Sequence, residues 1–567
     1  MARYHDFGAV ADIKRARTKI RMPFRVITSM SVGDLIPCPP IEVLAGDTWK
    51  MKTVTVARTS SPFLRPIMDN LFMDIHYFFV PYRLCYEKAE GVFGKATPSQ
   101  YDTDGLESIP TLPECTISEL SVGDYLGLPP GTYPEGLSVL KFRAFALIWD
   151  KWFRNENIVD ETFVQKGERV SSELPNNNAW SPNNYFGKVP KVSKIKDIFT
   201  ACLPAPQKGL ASTIPVRGGR YPVVTANTAL PDSGAPYLPI HYRSTMAGTS
   251  GMFPTGDYLL YGSNYSVNPS RIVNGYAYST TNPGSSFTNI LPDNLVADLS
   301  QSITGDKGLE ITVNDMRFAF AFQKMLELDA RAGSRYNEYL LGHFGVVNPD
   351  ARLQMPEYLG GGRVPITMQQ VAQTTPGTEE SSLGEVAAFS LSNGYSRFTK
   401  AFTEPGYIIP VMCVKQPHTY QQGIDKSWFR VKREDFYDPL FAHLGEQPIY
   451  REQIFAPGIS SFKSTVFGYN EYGAEYRYIP NSVTGQMRSS ATNSLDIWHL
   501  ADKFDNAPVL NKQFIEENSN NINRVLAVPS ENGDGTKGLD NFMIDIGFDS
   551  EAVRVMPLYS TPGLIDH

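Results

Sequence analysis

Two neighbouring segments near the N-terminus have the composition and periodicity of β-strands, and they constrain the fold more than any other feature. Residues 49–56 alternate polar with apolar side chains, and residues 72–80 are aromatic and β-branched. Pro66 and Pro81 bound the second segment. Because alternation with period two places one set of side chains on a buried face, we expect a core built from β-sheets.

The length and composition narrow the fold class further. The 567 residues exceed the size at which one hydrophobic core usually stops growing, so we expect several domains or one domain with large insertions. Only 20% of the residues are charged, while Gly (45) and Pro (42) are plentiful, which excludes a coiled-coil or long-helix protein. The 42% hydrophobic content suffices for a core and excludes wholesale disorder.

Charge and cysteine usage exclude other classes of protein. The net charge of −7 is not that of a polycation that coats nucleic acid. The cysteines are scattered, odd in number and never form a CxxC pair, which predicts reduced thiols: Cys38, Cys85, Cys115, Cys202 and Cys413. No apolar run approaches 18 residues, and the N-terminus lacks the apolar region of a signal peptide. We therefore expect a soluble, unexported chain.

The N-terminal segment is basic, with seven cationic residues against two acidic ones in the first 25 positions. Four of them, at positions 15, 17, 19 and 21, alternate with period two and would project from one side of an extended chain. This arrangement favours a nucleic-acid-facing arm, whose candidate residues are Lys14, Arg15, Arg17, Lys19, Arg21 and Arg25. The alternative is a solvated tail, or a strand edge whose charges prevent pairing with other chains.

Residues 215–300 differ from the rest of the chain. They contain nine Gly, nine Pro, eight Tyr and ten Ser but no Lys, and only eight are charged. A structureless loop of that length is improbable in a compact domain, so we expect an inserted subdomain. Surfaces rich in Tyr, Ser, Gly and Asn suit binding, because tyrosine supplies contact area at low entropic cost. The candidate contact residues are Tyr237, Tyr242, Tyr258, Tyr261, Tyr265, Tyr276 and Tyr278. A merely tolerated surface insertion is the alternative.

Helical spacing appears in only a few places. Aromatic residues recur with helical period over residues 140–154, and the longest predicted helix runs from about residue 313 to 343 after a cap-like Thr312-x-x-Asp315. We expect the Met and Phe stripe of that helix to be core packing. Shorter helical segments are predicted over residues 434–444 and, after a Ser494 cap, over residues 495–504.

None of the motifs predicts chemistry. Gly533-x-Gly535-x-x-Gly538 has dinucleotide-site spacing, but a strand-like segment follows where a helix is needed, so we expect a β-connection. Asp232-Ser233-Gly234 is interpreted as a turn. His418 lies five residues from Cys413 without a recognisable activating pair, and His76 lies in an aromatic strand. The sequence predicts no enzyme, no metal site and no cofactor.

Nine short motifs, taken in order along the chain, resemble those of one family, the major capsid proteins of the microviruses (Microviridae), bacteriophages with circular single-stranded DNA. They are GDLIP (33–37), EVLAGDT (42–48), MDNLFMDIHYFFVP (68–81), FGVVNPDARLQMPEYLGGG (344–362), YQQG (420–423), FAHLGEQ (441–447), FGYNEYGAEYRY (467–478), SLDIWHL (494–500) and PGLID (562–566). The length, the mid-chain insertion and the last motifs point to the gokushovirus branch. The N-terminal arm and the insertion match least.

The resemblance implies an all-β core, an eight-stranded antiparallel jelly roll with large inserted loops and several helices. It implies one copy in each asymmetric unit of a T=1 icosahedral shell. The implied organisation is an arm over residues 1–23, a first part of the jelly roll over 24–204, an insertion over 205–300 and the remainder over 301–567. In gokushoviruses such an insertion resembles a threefold protrusion that meets the host.

The resemblance also implies the partners. These are about sixty copies of the chain itself, a single-stranded DNA genome, a small basic packaging protein, scaffolding and pilot proteins and a host cell-surface receptor, without membrane insertion. The implied location is the virion, assembled in the bacterial cytoplasm. Two alternatives stay open: a carbohydrate-binding or glycoside-cleaving β protein, whose paired carboxylates are invisible in sequence, and a secreted adhesin, against which the missing export signal argues.

Overall fold

The computed structural model of the chain describes most of the two ends of the sequence and part of its middle. The described residues are 16–93, 108–162, 166–167, 178–181, 183–210, 312–348, 354–372, 374, 386–530 and 538–559, together with the backbone of five short strands between 228 and 288. The chain divides into two compact units: residues 1–210 with 325–567, and residues 211–324.

Strands dominate the described chain, in agreement with the predicted all-β core. They are β1 (Thr18–Arg21), β2 (Phe24–Met30), β3 (Ile36–Pro37), β4 (Ile41–Val43), β5 (Thr48–Thr59), β6 (Leu71–Pro81), β7 (Thr111–Leu112), β8 (Cys115–Ile117), β9 (Gly131–Tyr133), β10 (Leu137–Ser138), β11 (Thr228–Ala229), β12 (Pro236–His241), β13 (Asp257–Tyr261), β14 (Tyr276–Ser279), β15 (Ser286–Thr288), β16 (Glu357–Ile366), β17 (Met368–Ala372), β18 (Val386–Ala401), β19 (Gly406–Lys415), β20 (Glu446–Tyr450), β21 (Val466–Glu471) and β22 (Phe542–Arg554). The two segments predicted from residues 49–56 and 72–80 are confirmed as β5 and β6.

Helices are few and mostly short within the described residues. They are α1 (Tyr82–Cys85), α2 (Ala89–Phe93), α3 (Val122–Tyr125), α4 (Leu140–Ile148), α5 (Val313–Ala332), α6 (Tyr336–Phe344), α7 (Lys512–Ile515) and α8 (Asn520–Asn523). One π-helical turn, Trp149–Phe153, continues α4 directly. The 3₁₀ turns are Lys426–Phe429, Arg433–Asp435, Pro439–Phe441, Arg451–Gln453, Ala474–Tyr476, Gly485–Met487 and Asp496–Trp498.

Two large antiparallel sheets form the core of the first unit. The first sheet has the order β1-β22-β5-β18-β17, and β2 continues the edge of β22 beside β1. The second has the order β16-β6-β19-β3, and β4 also pairs with β19. Several pairings join distant parts of the chain, since Arg25 of β2 lies opposite Gly547 of β22.

The interior between the two sheets is closely packed. Trp49 and Met51 of β5 and Phe548 of β22 meet Met73 and Ile75 of β6 in one buried cluster. Fully burying side chains of this size contributes roughly 1.5–3 kcal/mol each relative to leaving them in water. This cluster is what holds the two sheets face to face.

A polar bridge crosses this interior. The hydroxyl of Tyr77 on β6 donates a hydrogen bond to Thr53 Oγ1 on β5 at 2.7 Å and lies 2.6 Å from Ser396 Oγ on β18. Burial raises the pKa of Tyr77, so the phenol stays protonated. A buried hydroxyl without partners would be costly, and here both its neighbours satisfy it.

The second sheet is buried on both faces. Its outer face carries Phe78 and Val80 of β6 and Ile409 of β19, which pack against Phe142 and Phe145 of α4 in a second cluster. The predicted helix over residues 140–154 is therefore confirmed, as α4 with its π-helical continuation. The long connection that follows β6 covers this sheet.

The predicted single helix over residues 313–343 is wrong, because the chain forms two helices there. Gly333 has φ +111° and breaks the helix, and a Cβ at that position would lie 2.2 Å from Glu338 Oε2. The second helix begins with its own cap, in which the Arg335 N–H donates to the Glu338 carboxylate at 3.1 Å. The Thr312–Asp315 cap is confirmed: the Asp315 N–H donates to Thr312 Oγ1 at 3.1 Å.

The apolar stripe of α5 is not packed as predicted. Phe318 and Phe320 are 69% and 64% exposed, and Met316 is also exposed. Phe318 and Phe320 are two positions apart and therefore point to nearly opposite sides of the helix, so these residues do not form one core-facing stripe. The two shorter predicted helices are also wrong, because residues 434–444 and 495–504 contain only 3₁₀ turns. In the first segment Pro439 lacks the N–H that a continuing helix needs.

The second unit contains a five-stranded antiparallel sheet, of which the structure describes the backbone. The strands follow one another in chain order, β11-β12-β13-β14-β15. Consecutive strands therefore pair as hairpins, which is the simplest way for a segment punctuated by Gly and Pro to form a sheet.

Candidate interaction surfaces

One face of the first sheet is exposed across all its long strands, and we call it the open face. It consists of the outward residues of β1, β2, β22, β5 and β18, which alternate with buried residues along each strand. The register aligns them in rows, for example Lys52 of β5 between Asp549 of β22 and Arg397 of β18. Alternation with period two gives this sheet one apolar and one polar face.

Three of the predicted arm residues lie on the open face. Lys19, Arg21 and Arg25 belong to β1 and β2, and their side chains are 63%, 66% and 63% exposed. Arg17 lies just before β1 with its guanidinium beside Gly46. Lys14 and Arg15 lie outside the described residues.

Each of these three cations is paired with a carboxylate of β22. Lys19 Nζ lies 2.9 Å from Glu551 and Arg21 Nε 2.9 Å from Asp549, while Arg25 donates to both oxygens of Asp545. The hydrogen bonds from these cations lower the pKa of all three carboxyl groups. The carboxylates are therefore charged at neutral pH and offset the charge of the arm. The pairs also fix the register of β1 and β2 on β22.

Sequence reasoning missed the other cations of this face. Lys50, Lys52 and Arg58 lie on β5 and Arg397 lies on β18, all with exposed side chains. Tyr395, 57% exposed, lies opposite Val54 in the centre of the face. The sequence did contain a signal for them, because Lys50 and Lys52 alternate with the buried Trp49, Met51 and Thr53, as in a strand with one exposed face.

The candidate contact tyrosines of the insertion are distributed over its sheet. Tyr237 lies on β12, Tyr258 and Tyr261 on β13, and Tyr276 and Tyr278 on β14, whereas Tyr242 and Tyr265 lie outside the described residues. The register pairs Tyr261 with Tyr276, and Leu259 with both Pro239 and Tyr278. Successive residues alternate between faces, so the register places four of them on one face: Tyr237, Tyr261, Tyr276 and Tyr278. Tyr258 lies on the opposite face.

His418 occupies a buried charged cluster that the sequence did not reveal. Its Nδ1 lies 2.7 Å from Asp502 Oδ2 and its Nε2 lies 3.0 Å from Glu517 Oε2. Burial acts to lower the pKa of His418, but the two carboxylates outweigh it and raise the pKa to about 9. The imidazolium therefore links the loops that carry Asp502 and Glu517. Those residues are 84 and 99 positions away, which is why no local pattern indicates the contact.

The cysteines offer no nucleophile. All five side chains are buried as free thiols. Burial raises the pKa of Cys38, Cys85 and Cys413 to about 12, so these thiols stay protonated and unreactive at neutral pH. Gly533, Gly535 and the predicted turn at residues 232–234 lie outside the described residues. The strand-like segment predicted after Gly538 is confirmed as β22.

An aromatic cleft of about 550 Å³ lies on the outer side of the second sheet. Trp152 and Tyr358 line it with His76 and Phe78, and the centroids of the contacting rings lie 5.4 to 6.4 Å apart. His76 lies 3.4 Å from the Tyr358 hydroxyl, and burial lowers its pKa, so the ring is neutral at pH 7. His76 is thus a hydrogen-bonded member of an aromatic cluster.

The described residues contain neither a metal site nor a membrane span. Among them, no group of three or more His, Cys, Asp or Glu is arranged to hold a metal ion. Within the same ranges, no helix is both long and apolar enough to cross a bilayer.

Two packed antiparallel sheets with long covering connections are consistent with a viral capsid β-barrel. Comparison with known proteins agrees. A family model described as "Capsid protein (F protein)" matches residues 9–564. The chain belongs to this capsid protein family.

Relatives match over nearly their whole length. The chain is 36% identical to capsid protein VP1 of Spiroplasma virus 4, covering 99% of this chain and 98% of the relative. It is 35% identical to capsid protein VP1 of Bdellovibrio phage phiMH2K, over 98% and 97% of the two chains. It is 33% identical to capsid protein VP1 of Chlamydia phage 1, over 95% and 94%. The predicted resemblance is therefore confirmed: this is a structural capsid protein of the microvirus type, a component of the virion, and not an enzyme.

Proposed function

We propose that the core of the chain is an eight-stranded antiparallel jelly roll. The support lies in the pairing of its long strands, numbered one to eight in chain order. They are β2, β3 with β4, β5, β6, β16, β18, β19 and β22. A jelly roll is a long hairpin that pairs strand one with eight, two with seven, three with six and four with five, wound into two sheets.

All four of those pairs are present: β2 with β22, β3 and β4 with β19, β5 with β18, and β6 with β16. The sheets then join strand eight to three and seven to four. This winding is the observation that carries the fold proposal. It also assigns the insertion to the connection between strands four and five.

About sixty such chains would form a T=1 icosahedral shell around a circular single-stranded DNA genome. A closed shell of identical chains is held by many repeated contacts, which suits the exposed apolar side chains of α5. Electron cryomicroscopy of particles formed by the full chain tests both parts. We expect sixty equivalent copies, each with the four strand pairs described above; a different copy number or winding would reject the proposal.

The basic arm would face the genome inside this shell. The support is its position on the open face, which no described element covers, while the long connections of the chain pack over the second sheet. Changing Arg15, Arg17, Lys19 and Arg21 together to Ala is expected to lower the DNA content or the stability of the particles. Nuclease-protected DNA per particle measures the effect, and full DNA content at unchanged particle stability would defeat the proposal.

The insertion would form a host-attachment protrusion at the threefold axes of the shell, with its tyrosines as contact residues. Its support is the separate compact unit formed by residues 211–324 and the grouping of four tyrosines on one sheet face.

The net charge of −7 leaves most neutralisation of the genome to a separate small basic packaging protein. Scaffolding and pilot proteins and a host receptor complete the proposed partners.

A further inference from the structure

We propose that the cations of β5 and β18, together with Tyr395, form the main binding surface for single-stranded nucleic acid on the open face. The paired residues of the N-terminal arm then serve chiefly to hold the sheet together. This inference rests on the proposed function, in which the open face lies toward the genome.

The open face carries more basic than acidic side chains. Its strands present seven basic side chains and three carboxylates: Lys19, Arg21, Arg25, Lys50, Lys52, Arg58 and Arg397 against Asp545, Asp549 and Glu551. The three carboxylates are paired with the three arm cations. The four remaining cations form no ion pair within the described residues, although Lys50 and Lys52 lie opposite Glu551 and Asp549 and help to lower the pKa of those carboxyl groups. Because the carboxylates contact only the arm cations, the excess positive charge of the face lies toward β5 and β18.

A phosphate group gains more from an unpaired cation than from a paired one. A cation that already has a carboxylate partner must give up that contact or share it, and the nearby carboxylate repels the phosphate. Lys50 and Lys52 are separated by one residue, which places them roughly 6–7 Å apart on the same side of β5. Lys52 lies directly opposite Arg397, so Lys50, Lys52 and Arg397 form a compact group, while Arg58 lies roughly 20 Å further along β5.

Tyr395 supplies the second component of a single-strand site. It lies one row from Lys52 and Arg397, opposite Val54, and both side chains are more than half exposed. Proteins that bind single strands without sequence preference combine a basic surface with aromatic rings on which bases stack. An exposed tyrosine amid cations fits that chemistry.

A second copy of the chain is a poorer occupant. Protein–protein interfaces are depleted of charged residues at their centre, because desolvating charges is costly. Burying this face against another copy would desolvate ten charged groups, whereas a polyanion complements its net charge. Single-stranded nucleic acid is therefore the partner that the face fits.

Binding of a labelled 20-nucleotide oligo-dT to the full-length chain released from particles tests the inference by fluorescence anisotropy at several salt concentrations. The strand variant is Lys50→Ala, Lys52→Ala, Arg58→Ala and Arg397→Ala. It is expected to weaken binding and to reduce the salt slope by about 3, because each phosphate contact on a single strand contributes roughly 0.7. Lys188→Ala with Lys503→Ala, two exposed lysines off the open face, is the control and should bind as the unchanged chain does.

A second variant removes the arm pairs without changing the net charge. It combines Lys19→Gln, Arg21→Gln and Arg25→Gln with Asp545→Asn, Asp549→Asn and Glu551→Gln, and it is expected to keep affinity within about threefold. If this variant loses binding and the strand variant keeps it, the inference fails while the genome-facing proposal stands. If neither variant loses binding, the genome-facing proposal itself fails. A strand variant that binds oligo-dT normally but no longer assembles would identify the face as a subunit contact and overturn the inference.

Substitution of Tyr395 tests the stacking step separately. Tyr395→Ala is expected to weaken binding roughly 5- to 150-fold without changing the salt slope, which is the range that loss of one stacked base spans. Tyr395→Phe keeps the ring and should bind as the unchanged chain does. Equal losses in both variants, or no loss in Tyr395→Ala, would exclude stacking at this position.

Discussion

At the scale of single residues, the buried cluster around His418 has the most direct physical consequence. His418 lies between Asp502 and Glu517, and Asp502 also accepts a hydrogen bond from the Asn521 side-chain amide at 2.9 Å. Breaking a buried charge pair leaves an uncompensated charge, which typically costs about 3–5 kcal/mol. The three loops that meet here are therefore held by charge as much as by apolar contact.

The cluster predicts that the chain loses stability in alkaline solution. Because the pKa of His418 is raised in the folded state, to about 9, its contribution is fully present below its ordinary pKa and is lost as the pH rises through 9. The contribution is on the order of 3 kcal/mol. For the unchanged full-length chain, the denaturant concentration at the unfolding midpoint should fall as the pH is raised from 7 to 10.

The His418→Gln variant should be less stable than the unchanged chain at pH 7, and its stability should decline less between pH 7 and pH 10. His443→Gln, at an exposed position, is the matched control and should follow the unchanged chain. Parallel curves for His418→Gln and the unchanged chain would show that His418 is not charged in the folded protein.

Gly361 predicts a second residue-scale effect. A Cβ at this position would lie 2.3 Å from the Ile75 carbonyl oxygen and 2.8 Å from His76 Nδ1, so Gly361→Ala must shift β16 away from β6. Overpacking of this kind costs about 1–3 kcal/mol. Gly547→Ala is the matched control, because its nearest neighbour would be Val54 O at 3.9 Å, and we expect it to be neutral or stabilising. Chemical denaturation of both variants measures the difference, and an equally stable Gly361→Ala would contradict the close strand approach.

At the scale of elements, the sequence predicts strands better than it predicts helices or pairings. β5 and β6 follow from alternation and from bounding prolines, and α4 follows from aromatic spacing. The break in the long helix depends on Gly333, which a periodic pattern tolerates but whose positive φ ends α5. Neither the pairing of β2 with β22 nor the meeting of His418 with its carboxylates leaves a local signal, because each joins distant segments.

The open face likewise combines residues that the sequence predicts with contacts that only the fold reveals. The arm residues were predicted from their own alternation, but their partners on β22 lie more than 500 positions away. Lys50 and Lys52 carried a readable pattern of the same kind, whereas Arg397 and Tyr395 join them only through strand pairing. Charge along a chain therefore indicates which segments are basic, and only the fold shows which of those charges are already paired.

The insertion can be tested as a separate element by deletion. Since residues 211–324 form their own compact unit, deleting residues 215–300 is expected to abolish host attachment and leave shells intact. Attachment of purified particles to host cells and electron microscopy of the same preparation measure the two effects. Loss of assembly would instead assign the insertion a structural role in the shell.

At the scale of the whole molecule, the strand winding, the open face and the family membership point to one architecture. The second sheet is covered by the long connections of the chain, while the first sheet leaves one charged face exposed. A chain with two such different sides suits a shell that has an inside and an outside. The exposed apolar side chains of α5 then become candidates for contact between copies.

The mass and shape of native particles, measured by sedimentation and electron microscopy together with nuclease protection, test the central claim most directly. Sixty copies of a 63.1 kDa chain predict roughly 3.8 MDa of this protein per shell. We expect closed particles near that mass that protect single-stranded DNA. A monomer or small oligomer in native preparations, or closed particles that protect no DNA, would contradict the account.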